Sequence, residues 1–312
     1  MASPPTARVP HPIPYQGSKR KLIPAILPWI QGRTRLLEPF AGSAAVTLAV
    51  AQHGRAEQFV IADVLQPLAD LWQLILDDPD GLATAYEQLW TEQLDDPRAY
   101  YLDVRRRFNA EPQPALLLYL MARCVKNAIR FNPQGEFNQS ADHRRKGTRP
   151  KTMRQNILGA SALLAGRTQV RCADFRDVLA SAQPGDLVYM DPPYEGVSGR
   201  DARYAKQLRR DDLVQALAEL NERKVDFVLS YDGSTGSRAY GDPLPRRLGM
   251  QQFAVHAGRS SQATLNGAKD ETIESLYVSQ GLQQLAPDDG EPVLVGQTQL
   301  TLFPVRSGQR AP

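Results

Sequence analysis

The chain has 312 residues, of which 42% are hydrophobic and 23% are charged, and its formal net charge is +3. This composition is typical of a globular protein with one large domain or two modest ones, and it excludes a collagen-like fibre. Two cysteines, Cys124 and Cys172, are too few for a disulfide-rich secreted domain or a multi-cysteine zinc site, and they favour a reducing compartment.

No export or membrane signal is visible in the sequence. Residues 1–10 lack the apolar core of a signal peptide, and no apolar run approaches the roughly 20 residues of a membrane-spanning helix. We therefore expect a cytoplasmic protein that acts away from the membrane. The four histidines are scattered along the chain, so we expect no metal site.

Short apolar strands alternate with helices over the first 76 residues. The spacing of apolar residues predicts helices at 19–30, 43–51 and 65–76. Buried strands are predicted at 35–38 and 58–62. This alternation is typical of a parallel α/β sheet.

The middle of the chain shows helical patterns only, at residues 82–94, 96–108 and 114–129. A polar stretch follows, and its end, residues 141–154, contains six basic residues and one acid. We call this segment the basic block. Such a block is commonly a solvated loop, but its concentration in a nearly neutral chain also fits a surface that contacts phosphates.

Strands and helices alternate again after the basic block, and residues 272–279 have the pattern of an edge or antiparallel strand. The predicted class is therefore α/β with a helical insertion. We predict one α/β domain (residues 1–76 and 166–281), the helical insertion (residues 77–165) and a flexible tail (residues 282–312).

Acidic and small residues follow the predicted strands, at the position where open α/β sheets bind ligands. Gly42 lets the backbone approach a ligand closely, and Asp63 follows it 21 residues later, an offset that suits ribose hydroxyls. Phosphate-binding glycine motifs are absent. Carboxylates such as Glu38 suit a cationic nucleoside such as S-adenosylmethionine better than a diphosphate. The alternative is a tight strand–helix turn without a ligand.

The tetrapeptide D-P-P-Y, formed by Asp191, Pro192, Pro193 and Tyr194, follows a later predicted strand. The Asp191 carboxylate and the rigid Pro192 carbonyl can accept both hydrogens of an exocyclic amine, which orients the nitrogen lone pair toward an incoming methyl group. Tyr194 offers an aromatic face on which a flipped base can stack. The tetrapeptide also occurs by chance in turns, so its position behind the other segments is what favours catalysis.

From residue 14 to about residue 279 the sequence resembles the α-class DNA amino-methyltransferases, the family of the bacterial Dam enzymes. The resemblance implies a Rossmann-like S-adenosylmethionine methyltransferase sheet with an inserted helical target-recognition domain. It also implies direct methyl transfer, with D-P-P-Y as the catalytic motif. The implied cofactor-binding residues are Tyr15, Gln16, Gly17, Lys19, Glu38, Phe40, Ala41, Gly42, Asp63, Asp174, Phe175 and Asp191.

Residues 127–138 resemble the family segment N-G-x-x-R-x-N-x-x-G-x-F-N, which is one residue longer, with Ala128 in place of its glycine. Residues 139–141 depart from the V-P-x-G that usually follows. These departures leave the recognition sequence open. Three basic residues at spacings of three and four predict a basic face on the last helix of the insertion, with a solvated surface as the alternative. The predicted DNA contacts are Arg123, Lys126, Arg130, Asn132, Asn138, Arg144, Arg145, Lys146, Arg149 and Lys151.

The predicted substrate is a base flipped out of duplex DNA and methylated at adenine N6 or cytosine N4. The residues do not decide between them, because both bases present an amino group of the same geometry. Two other classes stay open: an RNA or protein-glutamine amino-methyltransferase, which often carries N-P-P-Y, and a catalytically inactive DNA-binding or clamp-associated module. Whether a cognate restriction endonuclease exists is also open.

Residues 299–303 form the pentapeptide Q-L-T-L-F, which resembles the motif by which bacterial proteins dock on the replication sliding clamp. Leu302 and Phe303 would fill an apolar pocket, and Gln299 would hydrogen-bond at its rim. A terminal edge strand is the alternative, because the alternation of apolar residues fits a strand equally well.

Overall fold

The computed structural model describes residues 8–193, 208–235, 238–240, 243–259, 271–285, 293–295, 298–300 and 302–304. The strands within these ranges are β1 (Arg33–Glu38), β2 (Ala56–Asp63), β3 (Thr168–Cys172), β4 (Leu187–Met190), β5 (Asp226–Thr235), β6 (Arg238–Tyr240), β7 (Gln251–Arg259), β8 (Glu271–Val278), β9 (Val293–Val295), β10 (Thr298–Leu300) and β11 (Leu302–Pro304).

The α-helices in the same part of the chain are α1 (Ile23–Ile26), α2 (Ala45–Gln52), α3 (Gln66–Asp77), α4 (Pro79–Glu92), α5 (Pro97–Ala110), α6 (Pro114–Arg123), α7 (Pro150–Leu164), α8 (Phe175–Ala180) and α9 (Arg210–Glu222). The sequence patterns predicted neither α7 nor α8. Among the described residues, no helix has the length and apolar character that a membrane crossing requires.

The main sheet has nine strands in the order β11-β7-β8-β5-β4-β1-β2-β3, with β6 paired to β5. Strands β1 to β5 pair in parallel, whereas β8 runs antiparallel to both β5 and β7. The predicted α/β class, with a Rossmann-like parallel sheet, is confirmed. The strand at 272–279, predicted as edge or antiparallel, is antiparallel and lies inside the sheet.

Successive residues of the strands face opposite sides of the sheet, and each side has its own hydrophobic core. On β1, for example, Leu36 packs into the core beneath α1 to α7, which includes the buried indoles of Trp29 and Trp72. The next residue, Leu37, packs into the core beneath α8 and α9. Burial of each such side chain stabilises the fold by about 2 kcal/mol. Because both faces are buried, the sequences of these strands are continuous apolar runs.

Helices α4 to α7 come between β2 and β3, and their buried side chains belong to the same core as α1 to α3. α6 carries eight consecutive buried residues, 116–123, so it lies at the centre of this group of helices. The domain boundaries predicted at 76/77 and 165/166 stay a prediction.

Two predicted helices differ from the structure, one in its continuity and one in where it ends. The helix predicted at 19–30 is divided into a 3₁₀ turn at Lys19–Lys21, the single turn α1 and a second 3₁₀ turn at Leu27–Trp29. Pro24 and Pro28 explain the division, since each lacks the N–H that a continuous helix needs. The helix predicted at 114–129 ends at Arg123.

The tail contains short strands. β9 and β10 pair with each other, and β11 pairs antiparallel with β7 at the margin of the main sheet, with Leu302 opposite Val255. Residue 301 of the predicted clamp motif lies outside the described residues.

Candidate active site

Three acidic side chains lie at one edge of the sheet. Glu38 ends β1, Asp63 ends β2, and Asp191 follows β4 directly. Because β1 pairs in parallel with both β2 and β4, the carboxyl ends of these strands meet at that edge.

A tight turn at residues 40–44, the glycine turn, leads from β1 into α2. Gly42 has a φ of +49°, and a Cβ atom built on it would lie 3.1 Å from Cε1 of Tyr15. The Gly42 N–H donates to Asp63 Oδ2 at 3.1 Å, and its carbonyl accepts from the indole nitrogen of Trp72 at 2.9 Å. Only glycine meets both the backbone conformation and the close approach of the tyrosine ring.

The second carboxylate oxygen of Asp63 accepts a hydrogen bond from the Leu65 N–H at 3.1 Å. The neighbouring Ala41 N–H donates to the carbonyl of Ala62 at 2.9 Å, which joins the glycine turn to the end of β2. Burial raises the pKa of Asp63, and its backbone hydrogen bonds oppose that rise. A carboxylate offers about four lone-pair positions, so acceptor capacity remains for a ligand hydroxyl.

Glu38 is buried beneath the first turn of α2. Its Oε2 accepts from the Thr47 N–H at 2.9 Å and from the Thr47 hydroxyl at 2.5 Å. Burial raises the pKa of Glu38 to about 8, and the negative charge of Asp191 adds to the rise. This carboxyl is therefore largely protonated at neutral pH, and it would ionise when a cation binds nearby.

The first residue of the 3₁₀ turn, Lys19, reaches the same edge. Its buried ammonium lies 2.7 Å from Asp191 Oδ1 and 3.5 Å from Glu274 Oε2. Burial raises the pKa of Asp191 to about 6, although Lys19 pulls it down. The structure therefore places one cation between two carboxylates at the end of β4.

The other residues of the D-P-P-Y motif lie beside this ion pair. Pro192 is buried and Pro193 is half-buried, whereas Tyr194 lies outside the described residues. Behind the motif, the Tyr189 hydroxyl is 2.9 Å from Ser230 Oγ, so adjacent strands β4 and β5 are joined by a buried side-chain hydrogen bond.

Two aromatic rings extend the site along the sheet edge. Phe40 and Phe175 stack with their ring centroids 5.3 Å apart. Asp174 caps α8 by accepting from the Arg176 N–H, and it also forms an ion pair with the Arg176 guanidinium at 2.9 Å. The predicted pair Asp174 and Phe175 thus lies next to the glycine turn through Phe40.

The N-terminal segment is hydrogen-bonded to two neighbours. The Gln16 N–H donates to the Asn127 carbonyl at 3.0 Å, and the Ser43 hydroxyl donates to Ser18 Oγ at 2.9 Å. Gly17, between them, is exposed with a φ of +88°. The segment therefore bridges the glycine turn and the loop that follows α6.

Several residues of this site were missed by sequence reasoning. Thr47 and Trp72 hydrogen-bond to the predicted residues Glu38 and Gly42, yet no motif marks them. Glu274 was missed because ligand-binding residues were expected at the carboxyl ends of strands, whereas Glu274 lies near the start of β8. Since β8 runs antiparallel, its first residues lie at the edge where the parallel strands end.

The predicted basic helix face is wrong. α6 ends at Arg123. The chain then pairs with the segment that contains Ser140, whose carbonyl accepts a hydrogen bond from the Val125 N–H at 2.9 Å. Arg123 itself is 2% exposed. Its guanidinium donates to Gln93 Oε1 at 2.5 Å and to the carbonyls of Asp142 and Arg145. It therefore holds the loop together from the interior of the protein.

The other predicted DNA contacts fall into two groups. The side chain of Asn132 closes a turn, with its Oδ1 accepting from the Gln134 and Glu136 N–H groups at 3.1 and 2.8 Å. The remaining predicted residues are exposed, and they are Lys126, Arg130, Asn138, Arg144, Arg145, Lys146, Arg149 and Lys151.

A protein family and several known proteins are similar in sequence to this chain. Residues 15–280 match the family described as D12 class N6 adenine-specific DNA methyltransferase. The chain is similar to the DNA N-6-adenine-methyltransferase of Escherichia phage P1, with 26% identity over 72% of this chain and 30% of the phage protein. It is also similar to the DNA adenine methylase of Serratia marcescens, with 27% identity over 59% of this chain and 66% of that enzyme.

A third relative is aligned over more of its length. The DNA adenine methylase of Vibrio cholerae is 26% identical over 84% of this chain and 92% of the relative. The match spans less than two thirds of the phage and Serratia proteins. Because the family match includes every strand-end segment described above, this chain belongs to the D12 class N6 adenine-specific DNA methyltransferase family.

Proposed function

We propose that this chain transfers a methyl group from S-adenosylmethionine to the N6 amino group of adenine in duplex DNA. The observation that carries the proposal is the position of Asp191 directly after β4, at the same sheet edge as the glycine turn and Asp63. The description of the family and the names of the relatives favour adenine. Cytosine N4 gains no support from these comparisons.

The residues at the sheet edge fit S-adenosylmethionine. The glycine turn packs its backbone against the ring of Tyr15, on which a Cβ atom would press, so the turn fixes this predicted cofactor-binding residue beside the sheet edge. Asp63 retains acceptor capacity for ribose hydroxyls, and the stacked rings of Phe40 and Phe175 offer an apolar surface for adenine. Glu38 would ionise beside a cation, as the charge of this cofactor requires.

Bound S-adenosylmethionine would supply an electrophilic methyl group on its sulfonium sulfur. The Asp191 carboxylate and the Pro192 carbonyl accept the two amino hydrogens and thereby orient the nitrogen lone pair. As positive charge develops on that nitrogen, the charge of Asp191 stabilises it. With a pKa raised to about 6, the same carboxylate is also a suitable acceptor for the proton that the nitrogen then loses.

Access to the amino group requires that the adenine leave the duplex, because that group is not reachable inside the base stack. Stacking of the flipped base on Tyr194 stays a prediction. We further propose that the exposed basic residues from the end of α6 to the first turn of α7 contact DNA phosphates. This segment includes Asn127, whose carbonyl is hydrogen-bonded to the Gln16 N–H beside the site.

Mass spectrometry of nucleosides from duplex DNA incubated with the protein and S-adenosylmethionine tests the proposal. N6-methyladenine is expected, and N4-methylcytosine in its place would overturn the choice of base. A methylated product on RNA alone would favour the RNA amino-methyltransferase. Absence of any product, with cofactor binding lost in calorimetry, would favour an inactive DNA-binding or clamp-associated module.

Only the sequence supports the two other predicted partners, the sliding clamp and a restriction endonuclease. Docking on the sliding clamp through residues 299–303 stays a prediction, and so does a cognate restriction endonuclease. Loss of clamp retention in Leu302→Ala and Phe303→Ala would support the first, and unchanged retention would exclude it.

A further inference from the structure

Glu274 enters the site from a strand outside the parallel part of the sheet. It lies opposite Gly233 of β5 and Val255 of β7, near the start of β8. An irregularity in the pairing of β5 with β8 falls between Ser230 and Gly233, next to this position. The carboxylate therefore faces the end of β4, where Lys19 and Asp191 form their ion pair.

The contacts of Lys19 are in conflict with the role proposed for Asp191. The ammonium lies 2.7 Å from Asp191 Oδ1, the length of a strong charge-assisted hydrogen bond. That carboxylate must also accept a hydrogen of the target amino group. At 3.5 Å, the distance from Lys19 to Glu274 Oε2 is longer than such a bond, so a small shift of the ammonium would exchange one carboxylate for the other.

A second carboxylate near the ammonium makes this exchange favourable. Lys19 is 9% exposed, and a buried ammonium that loses its carboxylate is strongly destabilised. Glu274 keeps the cation paired throughout. We propose, on the basis of the function proposed above, that Glu274 is a positioning residue that takes the Lys19 ammonium from Asp191 when the target amino group enters.

Among the described residues, four charged or titratable groups interact with Asp191. Lys19 of the 3₁₀ turn and Glu274 of β8 act on its pKa, and its charge in turn acts on Glu38 at the end of β1 and on Tyr189 of β4. Lys19 lowers the pKa of Asp191 and Glu274 raises it. Removing the charge of Glu274 therefore moves the acid limb of the rate profile to lower pH, because the ionised form of Asp191 loses a negative neighbour.

The test compares Glu274→Gln with wild type in methyl transfer to duplex DNA at saturating substrates across pH. The expected result is a fall in kcat of roughly tenfold, the effect of losing one charge-assisted hydrogen bond, with an acid limb at lower pH and an unchanged Kd for S-adenosylmethionine. Glu274→Asp, which keeps the charge, should recover part of kcat and restore the limb. Glu57→Gln, on the exposed surface of β2, is the matched control and should behave as wild type.

Wild-type kcat and an unshifted acid limb in Glu274→Gln would overturn the inference. A fall in kcat without a shift of the limb, unrelieved in Glu274→Asp, would also overturn it, since that is the behaviour of a merely structural residue. Failure of the proposed function is distinguishable, because the wild-type chain itself would then produce no N6-methyladenine.

Discussion

The N–H of Gly42 and the carboxylate of Asp63 are joined by a 3.1 Å hydrogen bond, so the acid that ends β2 fixes the turn that follows β1. The two residues predicted separately as ligand-binding groups thus form one structural unit. A substitution at either position changes the shape of the site as well as its chemistry.

We expect Gly42→Ala and Gly54→Ala to separate backbone strain from ligand binding. Both glycines have positive φ, +49° and +61°, so each alanine should lower stability by about 1 kcal/mol. Only Gly42→Ala pushes against the ring of Tyr15, and its affinity for S-adenosylmethionine should fall by about tenfold or more. Thermal unfolding and calorimetry measure the two effects. Equal affinities in the two variants would contradict a ligand role for the glycine turn.

Asp191→Asn keeps the shape of the side chain and removes its charge. We expect kcat to fall by about 100-fold or more, because the charge that stabilises the reacting nitrogen is lost, while the protein stays folded. Asp226→Asn is the control, since Asp226 forms its 2.8 Å ion pair with Arg33 at the opposite edge of the sheet. Radiolabelled methyl transfer measures both. Turnover of Asp191→Asn within a few-fold of wild type would refute the catalytic assignment.

Cofactor binding should depend on pH through Glu38. In the free protein the pKa of this carboxyl is raised to about 8, and a bound cation would lower it, so binding releases a proton. Affinity for S-adenosylmethionine should therefore rise as the pH is increased toward about 8 and level off above it, where the free carboxyl is already ionised. Calorimetry in buffers of different ionisation enthalpy measures the proton release. The same dependence in Glu38→Gln would show that another group is responsible.

Residues of the basic block that contact DNA phosphates should increase the salt dependence of DNA binding. Replacing both Arg149 and Lys151 by alanine should lower the slope of log affinity against log salt by about two, one for each lost phosphate contact. Arg154→Ala is the matched control, because Arg154 is held by Asp80 at 3.0 Å. Fluorescence anisotropy with a duplex probe gives the slopes. A slope unchanged in the double variant would assign these residues to a solvated surface.

Arg123→Ala should lower stability and leave the salt slope unchanged. Its removal takes the guanidinium hydrogen bonds from Gln93 Oε1, to which the Tyr119 hydroxyl still donates at 3.2 Å, and from the Asp142 carbonyl. It also leaves a cavity, and we expect a total cost of about 3 kcal/mol. Chemical unfolding and anisotropy measure the two effects. Normal stability and a reduced slope in this variant would instead support the phosphate contact that the sequence predicted for Arg123.

The errors of the sequence analysis have definite physical causes. The spacing of Arg123, Lys126 and Arg130 fits a helix, but spacing carries no information about where the backbone leaves it. The helix ends because Val125 pairs with Ser140, and Lys126 and Asn127 then take left-handed conformations. This is a contact between segments that are apart in the chain, and it reverses the expected position of Arg123 from surface to interior.

The sequence by itself determined the α/β class, the membership of a DNA methyltransferase family and the segments at the strand ends. Those features depend on local pattern: apolar runs form buried strands, and the residue after a strand lies at the sheet edge whatever its neighbours are. Only the tertiary structure placed Glu274 beside Lys19 and gave Glu38 and Asp191 their raised pKa values. Burial and charge proximity depend on strand order and direction, and these arise from packing between distant segments.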